Sequence, residues 1–317
     1  MEGNFWRNPA IIRPMQIPQW FTQNIAAPTT THSINVARAT ISYRSWNADA
    51  NKPGLLFVHG YGAHSHWWDF IAPAFTADYR VGALDLSGAG DSDHRDHYTA
   101  RTFAAEILAV AKALANNYRR GGATGEKTIV VGHSFGGGMT RIAGFEHGDE
   151  LGAVVLVDSA LPRHQGPRQA PPEPRAHTRV YSSLEQGMRR FRLRPPQPCS
   201  NEFILNHIAR HSLRACAGGY QFKLDQALFA KLRADPPPVL PAVADMLSRI
   251  VCPVGVIFGS LSRFYDSDTE ALLRRLLPAE RRMVVADAHH HVFLDQPLDF
   301  IAALQQLLPR LAPAANS

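Results

Sequence analysis

With 317 residues, 45% hydrophobic and 19% charged, the chain can bury the core of one sizeable catalytic domain plus an insertion. Its net charge is a modest +6, and no apolar run approaches the roughly 18 residues of a membrane span, so neither a polybasic nor a transmembrane protein is indicated. Three cysteines (Cys199, Cys216 and Cys252) show no metal-ligand spacing and cannot all pair. Together with a start, Met1-Glu2-Gly3-Asn4, that lacks both the basic and the apolar part of a signal peptide, they fit a reduced, cytoplasmic setting. A Cys199–Cys216 bond stays open at this point.

In chain order, residues 1–32 read as an irregular, proline-bearing arm on the body. Strands near 33–37 and 40–46 are expected to form a hairpin. From Leu55 to Val157, strand and helix alternate, the pattern of a parallel sheet covered on both faces. Arg101 to Tyr118 is helical, with Phe103, Ile107, Leu108, Ala111 and Leu114 on one face. The alternation breaks at Pro162, where eight prolines fall between Pro162 and Pro198, and it resumes near Ile250. Residues 162–249 therefore read as an inserted cap, with helical pieces at Ser182–Phe191, Asn201–Cys216 and Asp225–Arg233. The core is then 33–161 together with 250–317.

One motif gives this α/β pattern a chemistry. Thr128-Ile129-Val130-Val131 is a short β-branched run, followed by Gly132-His133-Ser134-Phe135-Gly136 and a helical spacing of Met139, Ile142, Ala143 and Phe145. Gly-x-Ser-x-Gly between a strand and a helix puts a serine hydroxyl on a tight, strained turn at the N-terminus of that helix. A serine needs a base to act as a nucleophile, and an acyl transition state needs N–H donors, each worth roughly 2.7–4 kcal/mol of barrier. Leu55-Leu56-Phe57-Val58 ends in His59-Gly60-Tyr61-Gly62, a loop placed to offer the Tyr61 N–H beside that of Phe135. Downstream, the Arg282–Val285 strand leads into Ala288-His289-His290-His291, just before the last helix.

These segments, with Asp85-Leu86-Ser87-Gly88-Ala89-Gly90-Asp91-Ser92, make the chain resemble the α/β-hydrolase superfamily from about Ile41 to Leu311. The resemblance implies a mostly parallel sheet flanked by helices, with a helical cap inserted after strand six, and a serine hydrolase that needs no cofactor. The family places its catalytic histidine seven residues before a proline, which selects His290 ahead of Pro297, with His289 and His291 as neighbours. It commonly places the acid three residues after the glycine ending strand seven. Here that glycine is Gly259 and the position holds Ser262. Two explanations remain: Asp158, at the end of strand six as in family members with that serine, or a longer loop after strand seven that brings Asp266 or Asp268 to the histidine. Asp158 is favoured because a rigid strand end suits a residue that must hold an imidazole tautomer. Asp85 precedes Ser134 and reads as a structural anchor of the Ser87–Gly90 turn.

The expected substrate is a small-molecule carboxylic ester or lactone. Alternatives on the same fold are C–C bond cleavage in a β-diketone-like compound and a weakly catalytic ligand receptor. Expected substrate contacts are His59, Gly60, Trp67, Trp68, Tyr181, Phe191 and Tyr220. His64 and His66 read as loop residues rimming the pocket. The three consecutive histidines do not suggest a metal, since neighbours on an extended loop point in alternating directions and no Cys or carboxylate motif accompanies them. Residues 162–249 carry 14 basic against 6 acidic residues, or +8, so the rest of the chain is slightly acidic. That charge could steer an anionic substrate or simply be a solvated surface. No nucleic-acid motif or aromatic platform is present. The sequence leaves room for a homodimer.

Overall fold

The computed structural model describes residues 16–47, 52–115, 127–161 and 179–311. After a short helix α1 (Gln19–Ile25), the hairpin β1 (Thr29–Val36) and β2 (Ala39–Trp46) opens an eight-stranded sheet. β1 pairs in register from Thr29, and α1 precedes it, so the expected arm of residues 1–32 is corrected. Its later part is helix and edge strand. The polar alternation of Thr29–Val36 hides the strand until its partner is known, and residues 1–15 lie outside the described residues.

The other strands of the sheet are β3 (Gly54–Val58), β4 (Arg80–Leu84), β5 (Ile129–His133), β6 (Ala153–Val157), β9 (Val254–Gly259) and β10 (Arg282–Val285). Their order is β1-β2-β4-β3-β5-β6-β9-β10, antiparallel up to β4 and parallel thereafter. Every residue of β3, β4, β6 and β9 is buried, as central parallel strands require when both faces are covered. Side chains alternate between two cores. Leu55 and Phe57 join Trp68, Phe293, Phe300 and Leu304 on one face. Leu56 and Val58 join Phe103, Ile107 and Leu114 on the other. Helices α2 (Ala100–Ala115) and α3 (Ser134–His147) cover the second face.

Between β6 and β9, the described residues hold α4 (Leu184–Met188), α5 (Glu202–His211), the hairpin β7 (Leu213–Cys216) and β8 (Gly219–Phe222), α6 (Leu228–Lys231) and α7 (Val243–Arg249). The helix expected over Asn201–Cys216 thus ends at His211 and gives way to a strand. Gly218 and Gly219 (φ +84° and +144°) form the turn, and a Cβ on Gly219 would lie 2.0 Å from the Tyr181 carbonyl. This segment is tied to the core by directional bonds. Tyr98 Oη donates to Asp225, the Arg101 guanidinium to the Pro236 and Pro238 carbonyls, and Asn201 Nδ2 to the Leu294 carbonyl. The chain closes with α8 (Ser267–Leu276), β10, α9 (Val292–Asp295) and α10 (Pro297–Leu307), the last buried through Phe300, Ile301, Leu304 and Leu307. All three cysteines are free, and no helix among the described residues is long and apolar enough to cross a membrane.

Candidate active site

Ser134 stands at the junction of β5 and α3 with φ +54°, a left-handed conformation that costs a non-glycine residue energy. Two glycines make the turn possible. A Cβ on Gly132 would fall 2.2 Å from Thr140 Oγ1, and one on Gly136 would fall 2.2 Å from the His59 carbonyl oxygen. The turn is therefore closed on both sides by backbone or buried side chains, and only glycine fits.

Three side chains from neighbouring strand ends form one hydrogen-bonded row. His290 Nε2 lies 2.8 Å from Ser134 Oγ, and His290 Nδ1 lies 2.8 Å from Asp158 Oδ1. Asp158 is fully buried just after β6 and also has a positive φ, +43°. Its Oδ1 accepts the Ser262 hydroxyl at 2.6 Å and its Oδ2 accepts the Gly259 N–H at 3.0 Å. A carboxylate held this way fixes the histidine proton on Nδ1 and leaves the Nε2 lone pair facing the serine hydroxyl. Ser262, three residues after the strand-ending glycine, donates its hydroxyl to the aspartate rather than supplying an acid itself. Asp266 is occupied elsewhere. It caps α8, its Oδ1 accepting the Thr269 N–H at 2.9 Å. Asp268 lies in the first turn of that helix.

The neighbouring histidines separate by environment. His289 is half-exposed and bonds Asp295 Oδ2 through Nδ1 at 3.0 Å. His291 is buried, its Nε2 3.3 Å from the Pro195 carbonyl, and burial pushes it down to about 3. His133 is likewise held well below the usual range by burial, and its Nε2 meets the His290 carbonyl at 3.0 Å. The ring of Phe264 packs against that of His290 with centroids 4.8 Å apart.

The 59–62 loop comes into contact with this row. A Cβ on Gly60 would sit 3.2 Å from Ser134 Cβ, and Gly60, Tyr61 and Phe135 line one small cavity. Phe135 is the second residue of α3, where backbone N–H groups precede the first intrahelical bond. His59 also borders this cavity, but its ring is committed to backbone: Nε2 accepts the Leu86 N–H at 3.0 Å and Nδ1 faces the Gly60 carbonyl at 2.8 Å. It is a strut for the loop rather than the expected substrate contact. Asp85 braces the same region, accepting the Ser65 and Asp91 N–H groups at 2.6 and 2.9 Å.

The expected aromatic contacts divide. Trp67 and Phe191 line a larger cavity beside Tyr61. Trp68 is corrected: it is wholly buried, stacked on Phe57 at 4.7 Å and against Phe293 at 4.5 Å, and it lines neither cavity next to Tyr61. Tyr181 and Tyr220 exchange backbone hydrogen bonds at 2.8 Å beside the β7–β8 turn, and neither lines the cavities next to Tyr61. Phe229, not expected as a contact, packs on Tyr61 at 4.3 Å and near Phe135 at 6.1 Å.

A second cluster is invisible in the sequence. His66 Nδ1 and His207 Nε2 both reach Asp69 Oδ2, at 2.8 and 2.9 Å, and the His211 ring stacks on His66 at 3.9 Å. His66 is thus more than the rim residue expected. The Arg44 guanidinium bonds the other Asp69 oxygen, so the carboxylate already has its compensating cation. Helical spacing of His207 and His211 on α5 is the one local signal, and its partner is 138 residues away.

A serine, a histidine and an aspartate in a row at the C-terminal ends of parallel strands define the hydrolase class of α/β proteins. The comparisons agree. The alpha/beta hydrolase family model matches residues 55–304, and the chain belongs to that family. It is 24% identical over 264 residues to the pimeloyl-[acyl-carrier protein] methyl ester esterase of Aeromonas hydrophila subsp. hydrophila, covering 81% of this chain and 95% of that protein. It is 22% identical over 280 residues to the mouse (Mus musculus) sn-1-specific diacylglycerol lipase ABHD11, covering 84% and 85%. Among solved structures, the thioesterase domain from the curacin biosynthetic pathway aligns with TM-score 0.68 at 19% identity, covering 88% of this chain and 99% of its own. E-2-(acetamidomethylene)succinate hydrolase aligns with TM-score 0.67 at 19% identity, covering 89% and 100%. The chain is a hydrolase with this fold.

Proposed function

We propose that the chain hydrolyses carboxylic esters of small molecules, lactones included, through a serine acyl-enzyme. The observation that carries this is the Ser134–His290–Asp158 row, with both contacts at 2.8 Å. His290 Nε2 takes the hydroxyl proton as Ser134 Oγ attacks the carbonyl carbon. The carbonyl oxygen becomes an oxyanion, received by the N–H groups of Tyr61 and Phe135. His290 then returns the proton to the leaving alkoxide, and the C–O bond breaks. Water, deprotonated in turn by His290, releases the acid and restores the serine. Asp158 holds the imidazole in the tautomer both steps require and stabilises it when charged.

The names of the esterase and lipase relatives support an ester substrate. Residues 162–249, described from Arg179 onward, serve in this reading as a cap whose aromatic Phe229 borders the oxyanion loop. Three unpaired cysteines support a reducing, cytoplasmic location. The test is turnover of p-nitrophenyl acetate and butyrate by the wild type beside Ser134→Ala. The proposal expects hydrolysis in the first and a loss of at least about 10⁴-fold in the second. Equal turnover by both would contradict it.

A further inference from the structure

The larger cavity beside Tyr61, about 110 Å³, has an unusual wall. Arg190, Arg192, Arg194 and Lys223 border it, and no Asp or Glu does. Burial pushes the Tyr61 hydroxyl pKa up, and the charge of nearby Arg194 partly offsets that rise. Lys223 is buried, with its ammonium 2.8 Å from Asp91 Oδ2, whose side chain is half-exposed. Arg192 is partly committed, donating from Nη1 to the Arg189 and Phe191 carbonyls at 2.8 and 2.6 Å.

Two buried nitrogens on the same wall have no hydrogen-bond partner among the described residues: Trp67 Nε1 and His64 Nδ1. Their roles can be assigned. Ser212 Oγ donates to the Ile208 carbonyl at 2.8 Å, so it must accept from His64 Nε2–H at 2.9 Å. His64 Nδ1 is then a bare acceptor, while Trp67 Nε1–H is an uncommitted donor. The cavity also adjoins the row at Ser134. Tyr61, Gly62 and Leu224 line both it and the small cavity that includes Gly60 and Phe135.

The three arginines bordering the cavity are solvent-exposed, so their mutual repulsion is screened, but their side chains stay available to an anion that enters it. Guanidinium groups bind carboxylate and phosphate oxygens with charge-assisted hydrogen bonds in matching fork geometry. We propose that this cavity receives an anionic group of the substrate, a carboxylate or a phosphate, held by Arg190, Arg194 and Lys223 while the ester carbonyl lies at Ser134. The inference rests on the hydrolase reading for its catalytic half and deepens it to a substrate class: esters whose acyl part ends in an anion.

The experiment compares p-nitrophenyl monoesters of the C4 to C8 dicarboxylic acids with the same compounds capped as methyl esters. The wild type should prefer the anionic partner by ~10-fold or more in kcat/KM at the best length. Arg190→Gln and Arg194→Gln should pull that ratio towards one, while Arg274→Gln, an exposed residue on α8, should keep it. Using the ratio removes any general loss of activity or folding from the comparison. In parallel, glutarate and glycerol 3-phosphate are titrated calorimetrically into Ser134→Ala, which separates carboxylate from phosphate and requires no turnover. Saturable binding that Arg194→Gln abolishes supports the anion site even if neither ester is hydrolysed, in which case the hydrolase reading alone falls. A wild-type ratio of one or less at every length, or equal losses on both esters in the arginine variants, overturns the proposal.

Discussion

The strand ends that carry Ser134, Asp158 and His290 and the segment between β6 and β9 are built on opposite principles. The first region draws on four strands consecutive in the sheet, β5, β6, β9 and β10, all parallel and mostly buried. Each side chain of the row is fixed by the strand before it and by partners from the next. Asp158, for example, is held by Gly259 and Ser262 at and beyond the end of β9. The second region uses helices of four to ten residues and a hairpin of two four-residue strands; it has no core of its own, and Leu193, Ile204, Ile208, Leu228, Met246 and Leu247 pack into the two main cores while hydrogen bonds add to the hold. Chemistry requiring sub-ångström placement sits on the rigid part, and the basic cavity wall comes largely from the other. In the proposed reading, the difference separates residues that set the rate from residues that choose the substrate.

The largest expected effect lies in the row. Asp158→Asn should lower kcat by about 10⁴-fold with KM little changed, because the amide no longer enforces the histidine tautomer. Steady-state kinetics beside Asp266→Asn sharpen the point, since the latter should leave kcat near the wild-type value. A next effect lies in the core behind the site. Phe103→Ala, fully buried on α2 and stacked on Tyr98, should cost about 3–5 kcal/mol in chemical denaturation. Val239→Ala, 86% exposed in the inserted segment, should stay within about 0.5 kcal/mol.

Smaller effects come from the boundary between the two regions. His291, buried against Pro195, is held down to about 3, well below the ~6.5 of an unfolded histidine. Between those values the unfolded chain binds a proton that the folded chain does not. Its contribution to stability is therefore complete above pH ~6.5 and is lost as pH falls towards 3. His291→Gln should flatten the fall of unfolding free energy between pH 6 and 4 by up to about 1.4 kcal/mol per pH unit. Denaturant titrations at several pH values measure that slope. Asp266→Asn should cost little, at most about 1 kcal/mol, because asparagine can still cap α8.

How far the sequence can be read follows the same division. Gly132 to Gly136 announce the turn because its steric demands are local, and β-branched runs such as Ala153–Val157 announce strands buried on both faces. His290 can be placed through the family resemblance, which sets the histidine seven residues before a proline, here Pro297. The acid can only be narrowed to Asp158 or the loop after β9, because the choice depends on which carboxylate the sheet order brings to the imidazole. Trp68 shows the limit within a motif: both adjacent tryptophans are buried in one core, yet only Trp67 also lines the cavity beside Tyr61, and composition cannot tell which. The β7 strand reads in sequence as a continuation of α5, since what favours the strand is its pairing with β8 and the Tyr181–Tyr220 bonds beside it, which are tertiary contacts. The Asp69 cluster joins residues 138 positions apart, and the spacing of His207 and His211 on α5 signals only part of it.

The most direct measurement is intact-mass and peptide analysis after treatment with a fluorophosphonate, which traps an activated serine. A single adduct on the peptide containing Ser134, absent in Ser134→Ala and slowed in Asp158→Asn, is the expected result. Labelling that persists unchanged in Ser134→Ala, or ester hydrolysis by wild type that survives complete labelling of Ser134, would contradict the role given to this residue.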